Sequence, residues 1–159
     1  MSINSGDISR ELKDIYEADQ SDRRNWEKEE LNWEVIKPRD ETRLSRVKEL
    51  YMNGLLQTSE DLFYGAMIFQ HGNSSEDYLR AMELAKKSME LANEEAKYLY
   101  PKTEDRYLLS LGKPQIWGTQ YIKNSEGAWE LKEPFDSSAK TDEERNKFGI
   151  DIKKGLKTN

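Results

Sequence analysis

The sequence predicts a mainly α-helical protein, either a helical bundle or a set of tetratricopeptide-like helical hairpins, with a small C-terminal β-hairpin. Only two of its 159 residues are valine, whereas Glu, Lys, Leu, Ala and Met, which favour helix, are plentiful. No proline falls between residues 39 and 100, so helices can run there without a break. Between residues 78 and 92, apolar side chains recur at steps of four and three, which is the period of one helix face. They are Tyr78, Met82, Ala85, Met89 and Ala92.

The first predicted helix covers about residues 7–34. Its buried face begins with three apolar side chains spaced by four and three, those of Ile8, Leu12 and Ile15. Asp19 continues this face with Arg23 four residues further on, and we expect Trp26 and Trp33 to extend it. The Asp19–Arg23 spacing is that of an ion pair on a helix surface. The same two side chains could instead face a cavity and bind an anionic ligand.

A break is predicted at residues 37–40, which contain a proline. Asp40 is placed to cap a second helix over about residues 41–53. Its inward residues are Leu44, Val47, Leu50 and Tyr51. Asn53-Gly54 is typical of a helix end in which one residue adopts the left-handed conformation.

Capping signals also set the next two helices. Thr58 and Asp61 resemble a capping box that begins a third helix over about residues 59–71. Ser74 or Ser75 caps a fourth helix, over about residues 75–92. Together these two helices resemble a single tetratricopeptide-type hairpin, which is weak evidence for a solenoid because solenoids need about three repeats.

The remaining elements are shorter. Residues 93–100 add a turn or two, and a fifth helix covers about residues 103–111. Residues 115–123 and 128–132 flank a short loop that contains glycine, a pattern that predicts a β-hairpin. A second capping box, Thr141 with Glu144, begins a short last helix. We expect one helical domain over residues 1–150 and a frayed polar tail over residues 151–159.

Composition excludes several classes of site. The chain has no cysteine and a single histidine, His71, so disulfides, iron–sulfur clusters, thiol nucleophiles and multi-histidine metal sites cannot form within it. A metal site of Asp19, His71 and Asp105 is conceivable, but we expect neither a metal nor a cofactor. The P-loop and the Gly-x-Ser-x-Gly elbow are both missing.

Charge and hydropathy limit the partners. The net charge of −6 and the pI near 5.0 argue against nucleic-acid binding, which needs a basic face. No apolar run approaches the roughly 18 residues of a membrane span, and the N-terminus has no signal-peptide pattern. We therefore expect a soluble, cytoplasmic protein whose partner is a small molecule, a peptide or another protein.

Polar residues at core-facing positions are the main functional signal, because burying them unpaired costs about 1–3 kcal/mol each. His71, at the end of the third helix, is either a cap or a general acid/base that needs an orienting carboxylate from Asp105 or Asp19. Arg106 is either solvated or presents its planar guanidinium to a carboxylate or phosphate. The candidate ligand-binding amides and hydroxyl are those of Gln70, Gln115, Thr119 and Gln120.

The same residues carry a family resemblance. The ordered motifs are Asp19-Gln20 with Arg23, Gln70-His71, Asp105-Arg106, Gly112-Lys113-Pro114-Gln115-x-aromatic-Gly118-Thr119-Gln120, and a late Asp-Glu-Glu-Arg ending at Arg145. In this order they resemble an uncharacterised bacterial family that is described only as a domain of unknown function. The resemblance covers about residues 10–150. It implies a bacterial source and a shared set of polar residues, and it implies no activity.

Two functions follow as hypotheses. In the first, one polar pocket binds or transforms a small anionic or amide-bearing ligand, with His71 and Asp105 as the catalytic pair and Arg23 and Arg106 neutralising charge. In the second, the chain is a helical protein-interaction module without catalysis, which predicts an exposed apolar or aromatic groove. A purely structural polar network is the third interpretation.

Overall fold

A computed structural model describes residues 4–26 and 28–152 of the chain. Within them the chain forms six helices and one two-stranded antiparallel sheet, which confirms the predicted mainly α-helical fold with a small β-hairpin. The elements are α1 (Ser5–Arg23), α2 (Trp33–Met52), α3 (Ser59–Gln70), α4 (Ser75–Glu90), α5 (Glu94–Ser110), β1 (Tyr121–Lys123), β2 (Trp129–Leu131) and α6 (Asp142–Lys147). From residue 153 onward, the tail predicted to fray lies outside the described residues.

The helix α3 lies at the centre of the bundle, packed against α1, α2, α4 and α5. It is apolar on most of its surface, and its Phe69 is fully buried. Leu12 of α1 and Val47 of α2 are buried in the same cluster. The C-terminal end of this central helix therefore meets the ends of several neighbours, and that is where the polar residues gather.

Local capping signals set the boundaries of α3 and α4. The capping box of Thr58 and Asp61 is confirmed, and Ser74 rather than Ser75 caps α4 by accepting from the backbone N–H of Asp77. Gly54 follows α2 with a φ of 70°, as expected for a left-handed end. These boundaries agree with the sequence because the capping side chains lie within three residues of the groups that they satisfy.

The helix α1 is shorter than predicted and ends at Arg23. After Ile15 its buried stripe continues only with Asp19, so no further apolar face remains to be packed. Trp26 and Trp33 are each 55% exposed. The expectation that they extend the core-facing stripe is therefore wrong.

The helix α2 begins at Trp33 and runs through Pro38, so the predicted break and the Asp40 cap are both wrong. Pro38 is the sixth residue of the helix, where the ring removes a single hydrogen bond, to the carbonyl of Glu34. Burial of α2 against the bundle offsets that loss. Its buried side chains are Ile36, Leu44, Val47 and Leu50.

The segment predicted as a short turn followed by a fifth helix is one continuous helix, α5, with the buried Pro101 inside it. The β-hairpin is present but shorter than predicted. Ile122 of β1 pairs with Glu130 of β2. Gln115 forms an isolated parallel bridge with Phe135. Residues 116–120 form an irregular loop instead of a strand, because four of their backbone N–H groups bind side chains rather than a neighbouring strand.

Candidate functional site

A cleft of about 700 Å³ lies where the C-terminal ends of α1 and α3 meet α5 and the loop before β1. Among the described residues, its lining contains four Lys or Arg side chains and no Asp or Glu, although the chain as a whole carries a net charge of −6. The lining residues are Gln20, Arg23, Arg24, Trp26, Met67, Gln70, His71, Leu99, Lys102, Arg106, Thr119, Gln120 and Tyr121. Positive charge is thus concentrated in one hollow of an acidic protein, which favours an anionic occupant.

Six of the nine residues proposed from the sequence line this cleft. They are Arg23, Gln70, His71, Arg106, Thr119 and Gln120. The other three, Asp19, Asp105 and Gln115, lie behind the lining and are buried. The structure therefore brings a histidine, two arginines and two carboxamides, far apart in the chain, to one hollow.

His71 is held by Asp19. Its Nδ1 lies 2.8 Å from Oδ1 of Asp19, a carboxylate that is only 1% exposed. No described residue hydrogen bonds Nε2 of His71. A carboxylate at Nδ1 keeps the proton on that nitrogen in the neutral imidazole, so Nε2 is left as the atom that can exchange a proton with a ligand. Of the two carboxylates considered, Asp19 is the one that orients the ring.

Behind His71 lies an ion network that joins α1 to α2. Arg23 donates to Asp19 at 3.0 Å and binds Asp40 with two hydrogen bonds of 3.0 and 2.6 Å. Arg43 donates to Asp40 at 2.8 Å. Burial alone would raise the pKa of Asp40, but the hydrogen bonds from Arg23 and Arg43 hold that pKa below its ordinary value. The sequence-predicted Asp19–Arg23 ion pair is therefore real, but it is buried rather than a surface pair.

Arg106 has no acidic partner among the described residues. Its Nη1 donates to the carbonyl of Gln70 at 2.7 Å and its Nε to Oε1 of Gln120 at 3.2 Å. Among the described residues no carboxylate forms a salt bridge with it, whereas the five other arginines that are at least partly buried each have one. Those five are Arg23, Arg43, Arg46, Arg80 and Arg145. Burial lowers the pKa of the Arg106 guanidinium, and the nearby Arg23 lowers it further against the opposing effect of Tyr78.

Two features of the surroundings stabilise this unpaired cation in part. The carbonyl of Gln70 belongs to the last turn of α3, where free carbonyl groups carry the negative end of the helix dipole. The guanidinium also lies 5.9 Å from the centroid of the Tyr78 ring. Neither supplies a full negative charge. The positive charge of Arg106 is therefore only partly neutralised, and it can attract an anion in the cleft.

The Gln70 side chain contributes an unused acceptor. Its Nε2 donates to the carbonyl of Lys102 at 3.2 Å, which fixes the orientation of the amide. Its Oε1 is buried and has no hydrogen-bond partner among the described residues. A buried acceptor without a donor costs about 1–3 kcal/mol, so a ligand with an N–H or O–H group would be favoured here.

The carboxylate of Asp105 binds the loop before β1 and not His71, in contrast to the sequence prediction. It accepts from the backbone N–H groups of Ile116, Trp117 and Thr119 and from the hydroxyl of Thr119, at 2.7–3.0 Å. The carboxylate is completely buried and its hydrogen bonds serve the loop rather than His71. The assignment of Asp105 as a catalytic partner of His71 is therefore corrected to that of a loop anchor.

Gln115 has a similar structural role. Its Nε2 donates to the carbonyls of Gln120 and Lys132, and its Oε1 accepts from the backbone N–H of Gln120. With the amide occupied at both ends, the prediction that Gln115 binds ligand is wrong. From the other side Arg145 donates to the carbonyls of Ile116 and Trp117. These contacts fix the wall that presents Thr119 and Gln120 to the cleft.

Sequence reasoning missed several lining residues, among them Arg24, Trp26, Lys102 and Tyr121. Lys102 lies four residues before Arg106, so the helical period alone predicts that the two share one face of the helix. Arg24 and Trp26 follow the end of α1 and could not be placed, because the helix was predicted to continue through them.

The described part of the chain contains no group of three or more His, Asp and Glu side chains arranged to hold a metal ion. Asp19 and His71 do meet, but Asp105 is occupied by the loop. The arrangement as a whole is that of a cation-lined cleft with one oriented imidazole.

Comparison of the chain with protein-family models, with curated proteins and with solved structures found no match. None of the helices in residues 4–26 and 28–152 is long and apolar enough to cross a membrane.

Proposed function

We propose that the protein binds a small anionic ligand, carrying a phosphate or carboxylate group, in the cleft between α1, α3 and α5. The observation that supports this most directly is the Arg106 guanidinium, which lies in the cleft without a carboxylate partner among the described residues. A desolvated cation without a counter-ion is unfavourable, and an anionic group bound to it removes that penalty. Its planar fork suits two oxygen atoms of such a group.

The rest of the lining suggests further features of the ligand. Lys102 and Arg24 add positive charge at the exposed margin, whereas the charge of Arg23 is already balanced by Asp19 and Asp40. The unpaired Oε1 of Gln70 favours a donor close to the anionic group. An anion that also bears a hydroxyl, amine or amide therefore fits better than a bare ion.

Removal of the Arg106 charge should weaken anion binding. We expect inorganic phosphate, pyrophosphate or citrate to bind the wild-type protein, and Arg106→Gln to weaken the tightest of them at least about tenfold, because a hydrogen bond to a charged group contributes about 1.5–3 kcal/mol. Isothermal titration calorimetry at low ionic strength measures the dissociation constant, since salt screens the attraction.

The matched control is Arg10→Gln, which removes the same charge from an exposed position on α1 that does not line the cleft. Its affinity should equal that of the wild type. Equal weakening by both variants would mean that only net charge matters, and absence of binding by all three anions would contradict the proposal. The latter result would favour the alternative of a helical protein-interaction module.

The Asp19–His71 pair supports a second candidate, in which the cleft also transforms its ligand. A carboxylate at Nδ1 and a free Nε2 are what a general acid/base needs. If so, the wild-type protein should hydrolyse p-nitrophenyl phosphate with water to p-nitrophenol and inorganic phosphate, and His71→Asn should lose at least about a hundredfold in rate, within the range for general acid–base catalysis. Phosphate affinity should change little. Equal rates for the two proteins, or no release by either, would reject catalysis of this reaction and leave a binding site.

A further inference from the structure

A second hollow, of about 460 Å³, adjoins the cation-lined cleft and is walled by three of the four tryptophans of the chain, Trp26, Trp33 and Trp129. We call it the tryptophan groove. Trp26 lines both hollows, so the two share its ring as a wall. A ligand whose anionic group is held near Arg106 would reach the groove past this ring.

The exposure of these tryptophans has no structural explanation within the fold. Tryptophan is highly buried on average, yet Trp26 and Trp33 are each 55% exposed. Their rings contribute little to the core cluster, which does not include them. Large aromatic surfaces left in water beside a charged cleft are typical of sites that stack a planar group.

Ring geometry leaves room for such stacking. Trp26 and Trp129 meet at 82° with their centroids 6.4 Å apart. In an edge-to-face pair, the ring that contributes its edge keeps both of its own faces clear of the partner. Cationic side chains lie near two of the three rings. Lys123 is 5.2 Å from the centroid of Trp129, and Arg23 is 5.7 Å from that of Trp33. Lys123 adds positive charge to the groove, whereas the charge of Arg23 is already balanced by Asp19 and Asp40.

The groove also carries acceptors. Glu29 and Glu30 line it, whereas no carboxylate of a described residue lines the neighbouring cleft. Carboxylates beside aromatic rings can accept hydrogen bonds from sugar hydroxyls or from the amino group of a base. The chemistry therefore changes in order from a cationic cleft, across the shared ring of Trp26, to a groove that combines tryptophans with two carboxylates and two lysines, Lys28 and Lys123.

From this order we infer that the anionic ligand is a nucleoside phosphate, with its phosphate in the cation-lined cleft and its base in the tryptophan groove. The inference rests on the proposed anion-binding function and names the class of ligand. It commits the groove to a nucleobase rather than to a segment of a protein partner.

The test compares AMP with ribose 5-phosphate, which share the sugar and the phosphate and differ in the base. The wild-type protein should bind AMP about fivefold or more tightly than ribose 5-phosphate, the lower end of what one base–aromatic stack contributes. Trp26→Leu should bring the two dissociation constants together by weakening AMP alone. Calorimetry supplies both constants, and stacking should also quench tryptophan fluorescence in the wild type.

Tyr98→Leu is the matched control, because Tyr98 is a similarly exposed aromatic residue, 49% exposed, that lines neither hollow. It should keep the full preference for AMP. Equal affinities for the two ligands in the wild type, or a preference that survives Trp26→Leu, would overturn the inference and leave anion binding intact. AMP binding that Arg106→Gln does not weaken would instead reject the proposed anion site, and no binding of either ligand would reject both.

Discussion

At the residue scale, Asp105 illustrates how a buried charge can serve a site that it does not touch. Three backbone N–H groups and one hydroxyl converge on its carboxylate, so the chain from residue 116 to 119 wraps around it. Gly118 lies within this wrap with a φ of 81°, a conformation that other residues rarely adopt. The wrap carries Thr119 and Gln120 to the wall of the cleft.

Asp105→Asn should therefore destabilise the protein. An amide keeps one acceptor oxygen but places an N–H₂ group against backbone donors, so we expect a loss of about 2–4 kcal/mol in the free energy of unfolding. Urea denaturation measures it. The control is Asp14→Asn, an exposed carboxylate on α1, which should change stability by less than about 0.5 kcal/mol. Similar small effects of both substitutions would contradict the anchoring role of Asp105.

The sequence was enough to identify which polar residues belong to the site, but not which of them pair with each other. The sequence identified His71 and Arg106 as polar groups near a core face, and it left two carboxylates as partners for the imidazole. Asp19 is 52 residues away from His71 in the chain and Asp105 is 34 residues away, so only the packing of α1 against α3 decides between them. Both carboxylates are buried, which is why composition alone could not separate an orienting role from a loop anchor.

At the scale of elements, the helix ends depend on two kinds of signal. Capping boxes were read correctly because both partners are local, as at Thr58 and Thr141. Proline was misleading. The sequence predicts helix boundaries at Pro38 and Pro101, but each proline lies inside a helix that is packed against the bundle. The loss of one backbone hydrogen bond is smaller than the gain from burying the rest of the helix.

The contact between α1 and α2 should weaken in acid through Asp40. Because the pKa of Asp40 is lowered in the folded state, its stabilising contribution is fully present above the unfolded value of about 3.9 and is lost as pH falls through the folded pKa. Asp40→Asn removes this contribution, which we expect to be about 1–3 kcal/mol at pH 7.

Urea denaturation of the wild type and of Asp40→Asn at several pH values gives the difference in unfolding free energy. That difference should stay constant between about pH 7 and pH 5 and should shrink below about pH 4. Asp14→Asn again serves as the control and should show no such trend. A difference that does not change with pH would mean that Asp40 is stabilised no more in the folded chain than in the unfolded one.

At the scale of the whole molecule, charge is unevenly distributed. The net charge of −6 predicted no basic face, and the prediction against nucleic acid was argued from that average. The cleft nevertheless gathers four cationic side chains from α1, α5 and the residue after α1. An average over 159 residues cannot reveal such local concentration, because the acids that balance it lie on other surfaces or behind the lining, as Asp19 and Asp40 do.

The fold class could be predicted from composition and helical period, and six of the thirteen cleft residues could be named, because both depend on local patterns. The tryptophans could not be placed. Trp26 and Trp33 fit the helical spacing of a core stripe, but α1 ends before the first of them and α2 begins at the second. The groove that they form is created by the connection between the two helices, which no periodicity describes.

The loop from residue 115 to 120 has consequences for recognition. Asp105 binds its N–H groups, Arg145 binds its carbonyl groups, and Gln115 links its two ends. This side of the cleft is therefore ordered before a ligand binds. The opposite side, with half-exposed indoles, has more freedom to lose. The wall formed by this loop should therefore discriminate strongly between charged groups of different shape. The side lined by the tryptophans should accept ligands of more varied shape.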